Sequence, residues 1–132
     1  MTNQPKLSRT GRLLIPVLVA VILLACRQDN SYPDPLQAGW EGSKVCEVLE
    51  DKPSLRVLKC TFPPGVGHER HFHAEHFGYT LKGGTFEITD QEGTRTVDIP
   101  NGYSFYNASI DWHEVLNVGD SMAIFLIIEP KS

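Results

Sequence analysis

The sequence predicts an all-β domain, a closed barrel or two-sheet sandwich, on three observations. From Gly42 onward, short β-favouring runs alternate with turn residues at about every 8 to 12 positions. The same region shows no convincing helical period. Its length, about 90 residues, suits one barrel of eight or nine strands and leaves no room for a second domain.

The strands are expected near Lys44–Glu50, Leu55–Phe62, Arg70–His73, Phe77–Lys82, Thr85–Thr89, Thr94–Ile99, Tyr103–Tyr106, His113–Asn117 and Met122–Glu129. Turn chemistry separates them: Asp51-Lys52-Pro53-Ser54, Pro63-Pro64-Gly65, Gly83-Gly84, Asp90-Gln91-Glu92-Gly93, Pro100-Asn101-Gly102 and Gly119-Asp120. In the last strand Ala123-Ile124-Phe125-Leu126-Ile127-Ile128 is apolar on both faces, which predicts a central position.

The first quarter of the chain has a different character. Residues 1–12 hold Lys6, Arg9 and Arg12 and no acid, and Leu13 to Ala25 is an apolar run interrupted by Pro16. A basic stretch before a short apolar one is the layout of a secretory signal, too short for a spanning helix of about 20 residues. Leu23-Leu24-Ala25-Cys26 resembles the bacterial lipobox, which implies cleavage after Ala25 and lipid on Cys26. The alternative is an uncleaved anchor with an incidental cysteine. Both readings expect a cell-envelope protein outside the cytoplasm, on the periplasmic side in a Gram-negative cell. Arg27, rather than Asp, follows the cysteine, which by the same resemblance gives no inner-membrane retention signal. Residues 26–41 are expected to be a lipidated tether, and 42–132 the barrel.

Of 12 Lys+Arg, three lie before Cys26, so the mature chain carries 9 against 16 Asp+Glu, a net charge of −7 with histidine neutral. That balance argues against a nucleic-acid partner, which needs a basic footprint. It leaves membrane attachment to the lipid. Cys46 and Cys60 flank the Pro53 turn at equal distance. An exported compartment permits a cross-strand disulfide between them, worth up to about 3 kcal/mol; two buried thiols are the alternative.

Of the five histidines, His68, His71, His73 and His76 fall within nine residues, and His113 is distant. Residues i and i+2 of a strand share a face, so His71 and His73 project two imidazoles together. His113 is the one distant histidine able to complete a set of three. Neutral imidazoles suit a divalent transition metal, and three with open positions suit a catalytic rather than a closed structural site. Polar residues on a solvated barrel mouth are the competing reading.

Two motifs resemble those of the cupin superfamily. Gly65 followed by five residues and His71-Phe72-His73 matches the opening of the first. The second begins at Gly102 and lands on His113 and Asn117, with Ala108 in place of its proline and Ile110 in place of its second glycine. The resemblance spans roughly Val57 to Glu129. It implies a double-sheet jelly-roll barrel, often dimeric, with iron, zinc, manganese, nickel or copper held inside by His71, His73 and His113. Asn117, Ala108 and Ile110 would shape the barrel.

One departure is chemical. The first motif normally supplies a glutamate where this chain has Phe77 or Gly78, and counting back seven from Gly83 reaches His76. Either His76 is a fourth ligand, or Glu75 reaches in, or the site has three ligands. An all-histidine set leaves the charge of the ion uncompensated, which favours an anionic or chelating ligand or a polarised carbonyl.

Strand parity separates His68 from His71 and His73, which places His68 at the mouth or surface. Glu69 shares their parity, and Glu69 and Glu75 are the candidate acid/base residues. Arg70, Lys82 and Arg95 are candidate anion contacts against a default of surface charge. Tyr79, Phe105, Tyr106 and Trp112 are expected as barrel filling or dimer surface, and Glu114 as solvent-exposed. The leading expectation is a metal-dependent cupin, an oxygenase or isomerase, acting on a small diketone, hydroxy-acid or phenolic molecule. Its rivals are a non-enzymatic metal or small-ligand binding module and a barrel that has lost its metal. No phosphate-binding glycine loop or Ser-His-Asp arrangement appears.

Overall fold

The computed structural model describes residues 31–131; the expected signal segment, 1–25, and Cys26 lie outside them. Nine strands form, in the order β1 (Cys46–Lys52), β2 (Leu55–Phe62), β3 (Gly67–His73), β4 (His76–Lys82), β5 (Gly84–Asp90), β6 (Gly93–Ile99), β7 (Ser104–Asn107), β8 (Ile110–Asn117) and β9 (Ala123–Pro130). Two sheets result, ordered β1-β2-β9-β4-β7 and β3-β8-β5-β6. Every pairing is antiparallel. Among the described residues no helix is long and apolar enough to cross a membrane.

The all-β jelly-roll expected from the sequence is the fold observed. β9 lies centrally between β2 and β4. Its Ala123, Phe125 and Ile127 are buried, while Ile124, Leu126 and Ile128 are half-buried on the other face. Phe62, Phe86 and Phe125 meet edge to face, with ring centroids 5.4 to 5.9 Å apart, and Leu58 and Ile127 close the layer. Each such buried side chain contributes about 1.5–3 kcal/mol. Cys46 and Cys60 are register partners on β1 and β2, joined by a disulfide.

Two strands begin three residues earlier than predicted. β3 begins at Gly67 rather than Arg70, and β8 at Ile110 rather than His113; the extensions pair with the facing strand, Gly67 with Leu116 and Ile110 with His73. Asn117, at the end of β8, has no exposed surface. Its Nδ2 donates to the carbonyls of Phe62 and Ser121 (2.8 Å each), and its Oδ1 accepts from Gly119 N (3.0 Å). It thereby ties together both sheets and the turn before β9.

Residues 31–41, expected to be a flexible tether, instead lie against the barrel. Pro35 and Ala38 are buried. Phe72 N donates to Pro33 O (3.1 Å) and Glu69 N to Gly39 O (2.8 Å), so the segment follows the edge of β3. Gly67 permits the contact, since a Cβ there would meet the Trp40 ring and the Val115 carbonyl. Composition suggested a linker because the segment is polar, but its backbone groups satisfy an otherwise open strand edge.

Candidate metal centre

The β3–β8 ladder decides which histidines meet. His68 pairs with Val115 and His71 with His113, so three steps on β3 oppose two on β8. His71 then pairs with His113 and His73 with Ile110, so two steps oppose three. These compensating irregularities flank the His71–His113 pair, and such bulges re-aim side chains. The first one corrects the expectation for His68. The extra residue restores its inward parity, and it is buried with its ring centroid 3.7 Å from that of His71.

His71, His73 and His113 converge. His71 Nε2 is 3.0 Å from His73 Nε2 and 3.0 Å from His113 Nε2. Among the described residues these three form the group whose donor atoms all lie within 4.8 Å of one another. His71 Nδ1–H donates to Glu69 O (2.6 Å), which leaves Nε2 with a bare lone pair facing the other two. A cation about 2.1 Å from each nitrogen needs donors roughly 3.0–3.5 Å apart, so the arrangement fits a divalent transition metal. Burial, reinforced by the neighbouring imidazoles, lowers His113 to about 3 and pushes His71 further down. Both are therefore neutral near pH 7, as metal ligands must be.

The other candidates are placed differently. His68 Nε2–H donates to Pro35 O (3.0 Å), and burial lowers it to about 4, so it backs His71 without joining the set. His76 is buried with its ring centroid 4.5 Å from that of His73. Its Nδ1–H donates to Ala74 O (2.8 Å), and its Nε2 faces Asn107 Nδ2 at 3.4 Å. It is not one of the three residues whose donor atoms lie within 4.8 Å of one another. Glu75 is exposed and accepts from the Tyr106 hydroxyl (2.6 Å), so it does not reach in. Glu69 is also exposed and accepts from Glu41 N (3.0 Å): the bulge that turns His68 inward leaves Glu69 outside. Neither glutamate is positioned as an acid or base for the cluster.

The histidines open onto a cavity of about 810 Å³ between the sheets. Phe62, Phe86, Phe105, Trp112, Phe125 and Ile127 supply much of its apolar wall, and Asp90, Glu92, Arg95, Asp98 and Asp111 also border it. Arg95 is paired with Asp90 at 2.7 Å. Arg70 is exposed and stacks over Trp112, 4.0 Å from the ring centroid. Lys82 is exposed, Tyr79 and Tyr106 lie on the outer surface, and Glu114 is half-buried rather than exposed.

One residue at this site went unrecognised in the sequence. Glu129, 4% exposed, points inward from β9, with Oε1 3.8 Å from His73 Nδ1. The signal was the alternation Ala123, Phe125, Ile127, Glu129, which carries a carboxylate onto the core face.

A family model for the cupin domain matches residues 58–129. The chain belongs to the cupin family. Among solved structures, a cupin domain from Bordetella pertussis Tohama I is similar at 26% identity, covering 67% of this chain and 93% of that one with a TM-score of 0.63. The polyketide cyclase RemF from Streptomyces resistomycificus matches at 20% identity over 64% of this chain and 63% of its own, with a TM-score of 0.54. A cupin superfamily protein from Desulfitobacterium hafniense DCB-2 matches at 14% identity over 66% and 76%, with a TM-score of 0.51. The latter two likenesses concern the fold alone. Among curated proteins none matches. In this cupin the second motif's His113 supplies a convergent nitrogen and its Asn117 locks the strand that carries it.

Proposed function

We propose that this cupin holds one divalent transition metal on His71, His73 and His113 and acts there on a small oxygen-containing molecule. The observation that carries the reading is the convergence of three imidazole Nε2 atoms on the wall of the inter-sheet cavity. Such a metal supplies Lewis-acid polarisation of an oxygen function or, where it is redox-active, oxygen chemistry. The protein's own part is to orient and to exclude water. The aromatic wall receives an apolar body, and the histidines lie where its oxygen functions would be held. Four carboxylates against one arginine among the lining residues disfavour a strongly anionic tail, so a neutral phenolic, diketone or hydroxy-carbonyl compound fits better than a polyanion. The leader and Cys26 support export and lipid attachment in the cell envelope.

Metal analysis of the purified chain tests the reading. About one equivalent is expected, with loss in both His71→Ala and His113→Ala; no metal after reloading with iron, zinc, manganese, nickel and copper in turn would overturn it. A second reading, a non-enzymatic binding module, is favoured by the outward placement of Glu69 and Glu75. Turnover separates the two: a binding module saturates with ligand and consumes neither ligand nor oxygen.

We also propose a homodimer through the outer face of the five-stranded sheet. There Phe77, Tyr79 and Leu81 of β4 stand 38–47% exposed beside Tyr106 of β7, an apolar surface that a second copy would cover.

A further inference from the structure

Behind the metal-facing edge of His73 runs a chain of charged side chains, from buried Glu129 through half-buried Arg56 to half-buried Asp34. Glu129 and Arg56 are cross-strand partners on β9 and β2, and both point inward. Arg56 Nε donates to Glu129 Oε2, and Arg56 Nη2 donates to Asp34 Oδ2 at 2.6 Å. Asp34 belongs to the segment lying along β3, outside the span matched by the family model. Glu129 Oε1 and His73 Nδ1 are both buried, and neither has a hydrogen-bond partner within the protein. They face each other at 3.8 Å.

Two unpartnered buried groups of opposite sense, so close, are costly unless something makes the contact worthwhile. A metal on His73 Nε2 would do so. It requires the Nδ1–H tautomer, and Nδ1–H then needs an acceptor. His71 already has its equivalent partner in the Glu69 carbonyl, 2.6 Å from Nδ1. For His73 the available acceptor is Glu129 Oε1.

Resting on the three-histidine reading above, we propose that Glu129 is a positioning residue of the metal centre. It accepts the Nδ1–H of His73 when metal is bound, and Asp34 holds it in register through Arg56. The N-terminal segment is therefore part of the scaffold of the centre as well as a connection to the leader. A neutral packing role for Glu129 would predict none of this, since it requires neither the carboxylate charge nor a bond to His73.

The test uses the full chain, titrated with Co²⁺ against a chelator of known affinity. Glu129→Gln keeps the shape and removes the charge. It should weaken binding about tenfold or more, within the range usual for such partners, and alter the Co²⁺ absorption spectrum. Asp34→Asn, remote from the metal, should weaken it by a smaller factor in the same direction. Wild-type affinity and an unchanged spectrum in Glu129→Gln would overturn the proposal. A second measurement needs no variant: in the Zn²⁺-loaded wild type, ¹⁵N-resolved imidazole spectra should show His73 Nδ1 protonated and its proton shifted downfield by a charged acceptor. A bare Nδ1, or a proton at an ordinary solvent-exposed position, would equally overturn it. Failure of the metal reading itself is distinct, because the wild-type chain would then bind no ion at the histidines.

Discussion

Each histidine of the cluster has two ring nitrogens, and what one touches decides what the other can do. The Glu69 carbonyl takes the His71 Nδ1 proton and frees Nε2 for a metal. Pro35 O takes the His68 Nε2 proton and withdraws that nitrogen from the set. Burial keeps these rings neutral, lowering His68 to about 4, His113 to about 3, and His71 and His76 in the same direction. The sign of the consequence follows from linkage. A group whose folded value lies below its unfolded value, about 6.5, binds more protons when unfolded, so stability is full above about 6.5 and falls with pH below it. Each such histidine contributes about 1.4 kcal/mol per pH unit over that window. Denaturant titrations of metal-free protein should give a steady midpoint above pH 7 and a marked fall between pH 6.5 and 5. A midpoint unchanged down to pH 5 would contradict neutral buried histidines.

The decisive element is β3. A regular strand would alternate strictly, with Glu69, His71 and His73 on one face and His68 on the other. The compensating irregularities around His71 abolish that alternation, turning His68 inward and Glu69 out. The same irregular ladder lets Ile110 and Trp112 line the cavity alongside His113. At the far side of the barrel, β1 is an edge strand attached through β2 alone, and the Cys46–Cys60 disulfide reinforces that attachment. With its ends separated by 14 positions in sequence, the bridge should contribute about 3 kcal/mol. Reduction, or Cys46→Ala with Cys60→Ala, should lower the melting temperature by about 10 °C or more while leaving metal stoichiometry unchanged. An unaltered melting temperature would show that β1 is held by its ladder alone.

At the scale of the whole molecule the two sheets have different tasks. One carries all three metal-facing histidines, on β3 and β8, and, on β5 and β6, much of the cavity wall. The other supplies Glu129 and Arg56 from within and presents an apolar outer face. If a second copy covers that face, Phe77→Glu combined with Tyr79→Glu should convert dimers to monomers in sedimentation and leave bound metal near one equivalent per chain. A wild-type chain that sediments as a monomer at high concentration would dismiss the dimer.

The sequence by itself determined the succession of strands along the chain and the all-β class and, through the resemblance of its two motifs, the jelly roll and the three convergent histidines. Those depend on period, turn residues and motif spacing, which are local and additive along the chain. β2 and the central position of β9 were legible for this reason. Only the tertiary structure decided that His68 faces inward, that Glu69 and Glu75 face out, that residues 31–41 line the barrel, and that Glu129 stands behind His73. Each of those outcomes is set by a partner distant in sequence. A bulge is defined by the strand opposite it, a polar segment becomes ordered when an open edge needs its carbonyls, and a buried carboxylate is retained by the arginine across the ladder.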